Sequence, residues 1–384
     1  MAAATPASRT IVHVAQIEIS RESGMGRVAW HWREALTARG YDFVHIGPAA
    51  VGRPVHPALF PFAAWRCWAR RGLRPAAFLV HEPAGLPFVM SRHRVIAFSH
   101  GLERRGWEAA LASSPRSGVR IRPRSRLLFP LWRLAPAGYT LAHAAALLVL
   151  NADDLAEVRR RYHRRAEDVL LFRNGVDPVQ GSVLAGNPGH HPATVLFVGS
   201  WIPRKGTATL VEAARLLSAR GIRPGFVLAG TGRDAPSVLA DWPESLRPAV
   251  RVVPRYAAGG ESDLYSHADV LVLPSFFEGQ PLALLQAMAA GCCCIASDVA
   301  GSRDLIDDGA TGLLHPAGDA AKLADCLADC LGQPALRRRL GDGARQAVAG
   351  RGWDAVAAEV ADFVDGVVVS ASGAGPTARP GAEA

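Results

Sequence analysis

Lysine is almost missing from this sequence: of 43 lysine and arginine residues only two, Lys205 and Lys322, are lysines. A charge of +9 built this way is what a GC-rich coding bias produces, so it admits anionic partners without demanding them. Long apolar runs are also absent. The best, Leu141 to Leu150, is too short to cross a bilayer and carries His143. No basic segment followed by an apolar one opens the chain, so a cytoplasmic protein is expected. Cysteine is sparse at six residues, and Cys292, Cys293 and Cys294 are consecutive after a helical pattern, which reads as core thiols in a buried strand and excludes a disulfide framework. Cys326 and Cys330, four apart, share a helical face. No Cys/His set has zinc spacing, so no structural metal is expected. No ordered nucleic-acid recognition motif occurs, and no nucleic-acid partner is expected.

With 384 residues and 49% hydrophobic content, the length favours two domains. Short apolar runs alternate with helical patterns. The first series is Ile11 to Ala15, Phe43 to Ile46, Ala77 to Val80 and Val95 to Phe98; the second is Val195 to Val198, Phe226 to Ala229, Arg251 to Val253, Val270 to Leu273 and Cys292 to Ala296. Strands alternating with helices predict an α/β protein with parallel sheets covered on both faces. Between the series, residues 179–192 are rich in Gly, Pro and His and read as a linker. The expected organisation is a disordered start (1–10), a first domain (11–178), the linker, a second domain (193–352), a last amphipathic helix (353–369) and a disordered tail (370–384).

The most informative stretch runs from Asp269 to Gly291. The apolar run Val270 to Leu273 stops at Pro274, Glu278 follows in the loop, and Pro281 is expected at the first position of a helix, where its missing N–H costs nothing. Backbone N–H groups at such a helix start favour an anion, and Gly279 permits close approach to the backbone. A phosphate-bearing ligand is the expectation.

With Glu278, the turn Gly279-Gln280-Pro281-Leu282 and Ala287-Met288-Ala289-Ala290-Gly291, the stretch resembles the donor-site signature of retaining glycosyltransferase family 4. In that family two glutamates separated by seven residues bracket the turn; here the second position holds Gln286, which keeps an acceptor oxygen and loses the charge. The resemblance covers nearly all of the chain from Ile11 to about Val369. It implies a GT-B fold, two doubly wound Rossmann-like domains facing across a cleft, and a hexosyl transferase using a nucleotide diphosphate sugar and a hydroxyl acceptor. Glu278 would hold the transferred sugar and Gln286 the ribose. Val198 to Gly206 looks like the family's phosphate element, with Lys205 in the lysine position, Ser200 where arginine is usual, and Arg204 as a second cation.

By the same likeness the loop at Gly230 passes near the nucleoside, flanked by Arg255 and Tyr256, and the loop holding Gly24 and Gly26 lies near the donor phosphate. His100, just past a strand, would be a polar group at the reacting centre. Both Gly-rich loops also fit Gly-x-Gly-x-x-Ala, but a dinucleotide reading needs an acid at the end of the following strand, and neither loop has one. Asp-x-Asp occurs nowhere in the chain, so no metal and no cofactor beyond the donor substrate are expected.

Between Arg104 and Arg133 lie eight arginines and one acid, Glu108, interleaved with Leu127, Leu128, Phe129, Leu131 and Trp132. The segment suits peripheral contact with an anionic membrane at its inner face, or is a solvated loop of an arginine-rich protein. Beside transfer, three other functions fit the same residues: a sugar-nucleotide epimerase, a non-catalytic sugar-nucleotide binder, and a membrane-surface adaptor.

Overall fold

The computed structural model describes residues 9–21, 24–52, 56–117, 120–177, 193–256 and 261–370. The expected disordered residues 1–8 and 371–384, Ser23 of the first Gly-rich loop and the linker 179–192 lie outside them. Two residues assigned to the disordered start belong to the fold. Thr10 opens the first strand, and the Arg9 guanidinium donates to the carbonyls of Gly40 and Arg39.

The N-terminal sheet contains β1 (Thr10–Val14), β2 (Asp42–Ile46), β3 (Ala77–His81), β4 (Val95–Phe98), β5 (Ala146–Val149) and β6 (Val169–Leu171), all parallel, in the order β2-β1-β3-β4-β5-β6. The C-terminal sheet contains β7 (Thr194–Val198), β8 (Gly225–Ala229), β9 (Val250–Val253), β10 (Val270–Leu273), β11 (Cys293–Ser297) and β12 (Leu313–His315), also parallel, in the order β12-β11-β10-β7-β8-β9. These are two doubly wound Rossmann-like domains facing across a cleft, the GT-B arrangement. Three strands were not anticipated. β5 lies inside the apolar run that sequence alone cannot divide from the preceding helix, and β6 and β12 are three residues each, too short to show a period.

Each sheet carries a separate apolar cluster on either face, which is why its strands read as continuous apolar runs rather than alternating ones. Cys292, Cys293 and Cys294 are buried free thiols in and beside β11, and Cys293 Sγ lies 3.5 Å from Cys330 Sγ. The last helix, Trp353–Val369, leaves the C-terminal domain and packs Ala357, Val360 and Val364 against Val28, Trp32 and Leu36 of the helix Gly24–Ala38. Ion pairs from Arg39 to Asp362 (2.7 Å) and Asp365 (2.8 Å), and a 2.6 Å hydrogen bond from the Tyr41 hydroxyl to Asp365, fix its far end.

In a doubly wound sheet the crevice opens at the strand carboxyl ends where the order reverses. Here the reversals fall between β1 and β3 and between β7 and β10. The loops after β1, β7 and β10 therefore meet at the cleft, and all three carry expected site residues.

Candidate active site

A cavity of about 680 Å³ fills the cleft. From the N-terminal domain it is walled by Gly24, Met25, Arg27 and His100, and from the C-terminal domain by Gly199, Ser200, Arg204, Lys205, Gly230, Arg255, Tyr256 and Phe277 to Ala283.

Glu278 lines this cavity and is only 6% exposed. Its Oε1 accepts hydrogen bonds from Lys205 Nζ (2.6 Å) and Ser275 Oγ (2.6 Å), and Arg204 Nη1 lies 3.9 Å from Oε2. Burial alone would push this carboxyl up, but the charges of Lys205 and then Arg204, with the two hydrogen bonds, outweigh it and hold the pKa below the usual value. Glu278 is thus ionised, and the loops after β7 and β10 are joined by an ion pair. Arg204 also donates to the Phe277 carbonyl (2.8 Å), and its own carbonyl accepts from the Phe276 N–H. Gly206 makes this junction possible: its φ is +70°, and a Cβ would overlap the Pro274 carbonyl.

The helix after β10 spans Leu282–Ala289, with Pro281 one position earlier than expected, as N-cap in extended conformation. Its carbonyl accepts from Leu284 and Leu285, so the N–H groups of Leu282 and Ala283, two residues that line the cavity, precede the first helical hydrogen bond. The loop before it is held from the other domain. Asn151 Nδ2 donates to the Gly279 carbonyl (2.8 Å), and Gln280 Oε1 accepts the Asn174 N–H while its Nε2 donates to the Leu150 carbonyl. Gly279 lies against the His100 carbonyl, where a Cβ would overlap the oxygen.

Two expected contact residues do not reach the cavity. Gly26 is buried in the first turn of its helix, its carbonyl accepting the Ser20 N–H. Gln286 sits behind the wall with its amide directed at Asp177: Oε1 accepts the Asp177 N–H (3.0 Å), and Nε2 lies 3.4 Å from the carboxylate that also binds Arg27 (3.1 Å). Ser275, Phe277, Arg27 and Asn151 were missed. Ser275 and Phe277 flank the singled-out acid. Arg27 directly follows Gly26, but its partner lies 150 positions away. Gly230 (φ +69°) turns the chain after β8, beside the Tyr256 ring.

His100 belongs to a row of histidines across the strand ends. Phe98 stacks with His13 and His81 and meets His100 edge-on, and His13 Nδ1 lies 2.9 Å from His45 Nδ1. Burial lowers His81 and His100 to about 3, reinforced by Arg133 for His81 and by His81 for His100, and burial lowers His13 well below its ordinary value. Folded, these rings stay neutral where the unfolded chain takes up protons, so their contribution is complete above pH about 6.5 and is lost as the pH falls toward 3. Glu82, buried and raised to about 8, opposes this with one proton. His45 is lowered by burial as well, and Asp154 is a second buried acid raised by it. Four lowered histidines against two raised acids leave a net loss, so urea unfolding should show stability falling between pH 7 and pH 5, with a smaller slope in His81→Asn. A flat profile would contradict the neutral row.

Residues 192–333 match the family described as Glycosyl transferases group 1. A D-inositol 3-phosphate glycosyltransferase of Frankia alni is 30% identical over 300 residues, 73% of this chain and 69% of that one. The chain belongs to the group 1 glycosyltransferases. Other relatives are matched over less of their length: a phosphatidyl-myo-inositol mannosyltransferase of Mycobacterium leprae is 32% identical over 57% of this chain and 59% of its own, and a D-inositol 3-phosphate glycosyltransferase of Streptosporangium roseum is 34% identical over 46% and 43%. The fold is shared with sucrose-phosphate synthase of Thermosynechococcus elongatus (TM-score 0.73, 20% identity, 94% of this chain and 99% of that one). It is shared too with Anabaena HepE solved with UDP and glucose (TM-score 0.66, 13% identity, 92% and 99%).

Proposed function

We propose that this chain is a retaining hexosyltransferase that moves a sugar from a nucleotide diphosphate sugar to a hydroxyl acceptor without a metal ion, at the cytoplasmic face of a membrane. The observation that carries it is the buried Lys205–Glu278 pair at the switch point of the C-terminal sheet, facing His100 across the cleft. Among the described residues, Arg27, Arg204, Lys205 and Arg255 line the cavity against the single acid Glu278, a balance suited to a diphosphate.

The acceptor hydroxyl attacks on the face from which the diphosphate departs. Lys205, Arg204 and the N–H groups of Leu282 and Ala283 meet the charge growing on the leaving group, the role a divalent ion would otherwise fill. Glu278 and the neutral His100 orient the sugar. Because Glu278 is already engaged by Lys205 and Ser275, it acts as a fixed acceptor of hydroxyl hydrogen bonds rather than as a proton donor.

The test is a thermal-shift screen of UDP-, GDP-, ADP- and TDP-sugars, followed by product analysis with the donor that binds. Transfer with retained anomeric configuration, unchanged by chelator, is the expected result; activity lost to chelator and restored by magnesium would rule out the metal-free mechanism. One observation favours a second reading: Gln286 is turned to Asp177, away from the cavity. A donor that binds and is never turned over would establish the non-catalytic binder, and a rearranged free sugar nucleotide the epimerase.

A further inference from the structure

Residues 43–152 contain fifteen arginines against three acids, Glu82, Glu103 and Glu108, an excess of 12 that is larger than the +9 of the whole chain. An arginine-favouring coding bias acts along the whole sequence and does not remove acids from one part of it. The excess is a property of this part of the N-terminal domain. No Asp or Glu occurs between Glu108 and Asp153.

Some of these arginines serve the fold. Arg105 binds Asp153 and Asp154 (2.8 Å each), Arg133 binds Glu103 (2.6 Å), and Arg104 faces Glu108 at 3.8 Å. Arg122, Arg124 and Arg126 differ, being exposed at the start and along the short helix Pro123–Phe129, which has no acid of its own. The same helix and the widened turn after it hold Leu127, Leu128 and Leu131, exposed by 70%, 49% and 65%. Spacings of three, four and seven place Arg124 and these leucines on one face. Phe62, 49% exposed, shares with Trp132, the residue after Leu131, a cavity of about 230 Å³ that Leu86 and Pro136 also line.

Three large apolar side chains held in water on a surface rimmed by cations fit neither a solvated loop nor a polyanion groove. They fit an anionic bilayer, with the leucines at the acyl boundary and the guanidinium groups at the phosphates. We propose that residues 122–131 and Phe62 dock the N-terminal domain on an anionic phospholipid membrane, the cavity beside Trp132 taking a lipid chain. Arg133, which walls that cavity, is ion-paired to the first residue of the helix following His100 and Gly101, so the docking surface adjoins the wall of the active-site cleft. That the acceptor is itself lipid-borne rests on the transfer reading above; the docking does not.

Flotation of the full chain with vesicles of phosphatidylcholine alone, and of equal parts phosphatidylcholine and phosphatidylglycerol, tests this. The protein should float with the anionic vesicles only and be released by high salt. The variants R122E/R124E/R126E and L127S/L128S/L131S, each with an unchanged melting temperature, should lose flotation by at least about tenfold. Equal binding to neutral vesicles, undiminished flotation of the arginine variant, or displacement from anionic vesicles by an equal charge of RNA would each overturn the proposal. A protein that floats yet transfers no sugar refutes the transfer reading and leaves the docking standing.

Discussion

Lys205→Ala is expected to lower kcat/KM for sugar transfer by about 10²–10³-fold, the size of effect seen when one preorganised charge-stabilising group is removed. The same change should lower stability, because the Glu278 carboxylate would stay buried with only the Ser275 hydroxyl and Arg204 at 3.9 Å to compensate it. Breaking a buried pair costs about 3–5 kcal/mol. Lys205 retains some exposure and Arg204 lies close by, so the lower end applies. Glu278→Gln separates the two roles. It leaves Lys205 facing the cavity with its charge intact, so donor binding should persist while kcat falls. Measuring donor affinity by calorimetry and kcat by product release for both variants decides the matter. If Lys205→Ala keeps wild-type donor affinity, the lysine does not meet the diphosphate.

Gly279→Ala is expected to cost about 10²-fold in transfer from a folded protein, because a misplacement of about 1 Å at a reacting centre is worth that much. The added Cβ would overlap the His100 carbonyl, a backbone atom that no rotamer change can move aside. Either the loop from Glu278 to Pro281 or the start of the helix after His100 must shift, and the hydrogen bond from Asn151 to the Gly279 carbonyl must stretch. Gly309→Ala is the matched control: its φ is +78°, but a Cβ there meets open space, so it should lose about 1 kcal/mol of stability and no activity. A Gly279→Ala enzyme as active as the Gly309→Ala enzyme would show that the two domains need not touch at this loop during turnover.

The residues that could be read from sequence are those whose neighbours lie close along the chain. Glu278, Lys205 and the four apolar residues of β10 each sit within a strand-loop-helix unit whose period and turn residues are local. Residues whose position depends on the sheet order escaped. The four histidines are scattered from His13 to His100, and only the adjacency of β2, β1, β3 and β4 brings them into a row. The orientation of Gln286 follows from Asp177, 109 positions earlier, and its sequence position says nothing of this. Asn151 caps the helix after β5, and capping was its whole visible signal; its contact with Gly279 exists because two domains meet. Pro281 was misplaced by one residue because either position tolerates a missing N–H.

The chain crosses between the lobes twice, once after β6 and again before Trp353, and the two crossings lie side by side: Val176 pairs with Gly352, and its N–H bonds to the Arg351 carbonyl. The helix Trp353–Val369 thus belongs, by its packing, to the N-terminal lobe. Anyone exchanging N-terminal lobes between relatives must transplant residues 353–369 together with residues 9–177. A single junction in the linker would leave a foreign helix to fill the groove over Trp32.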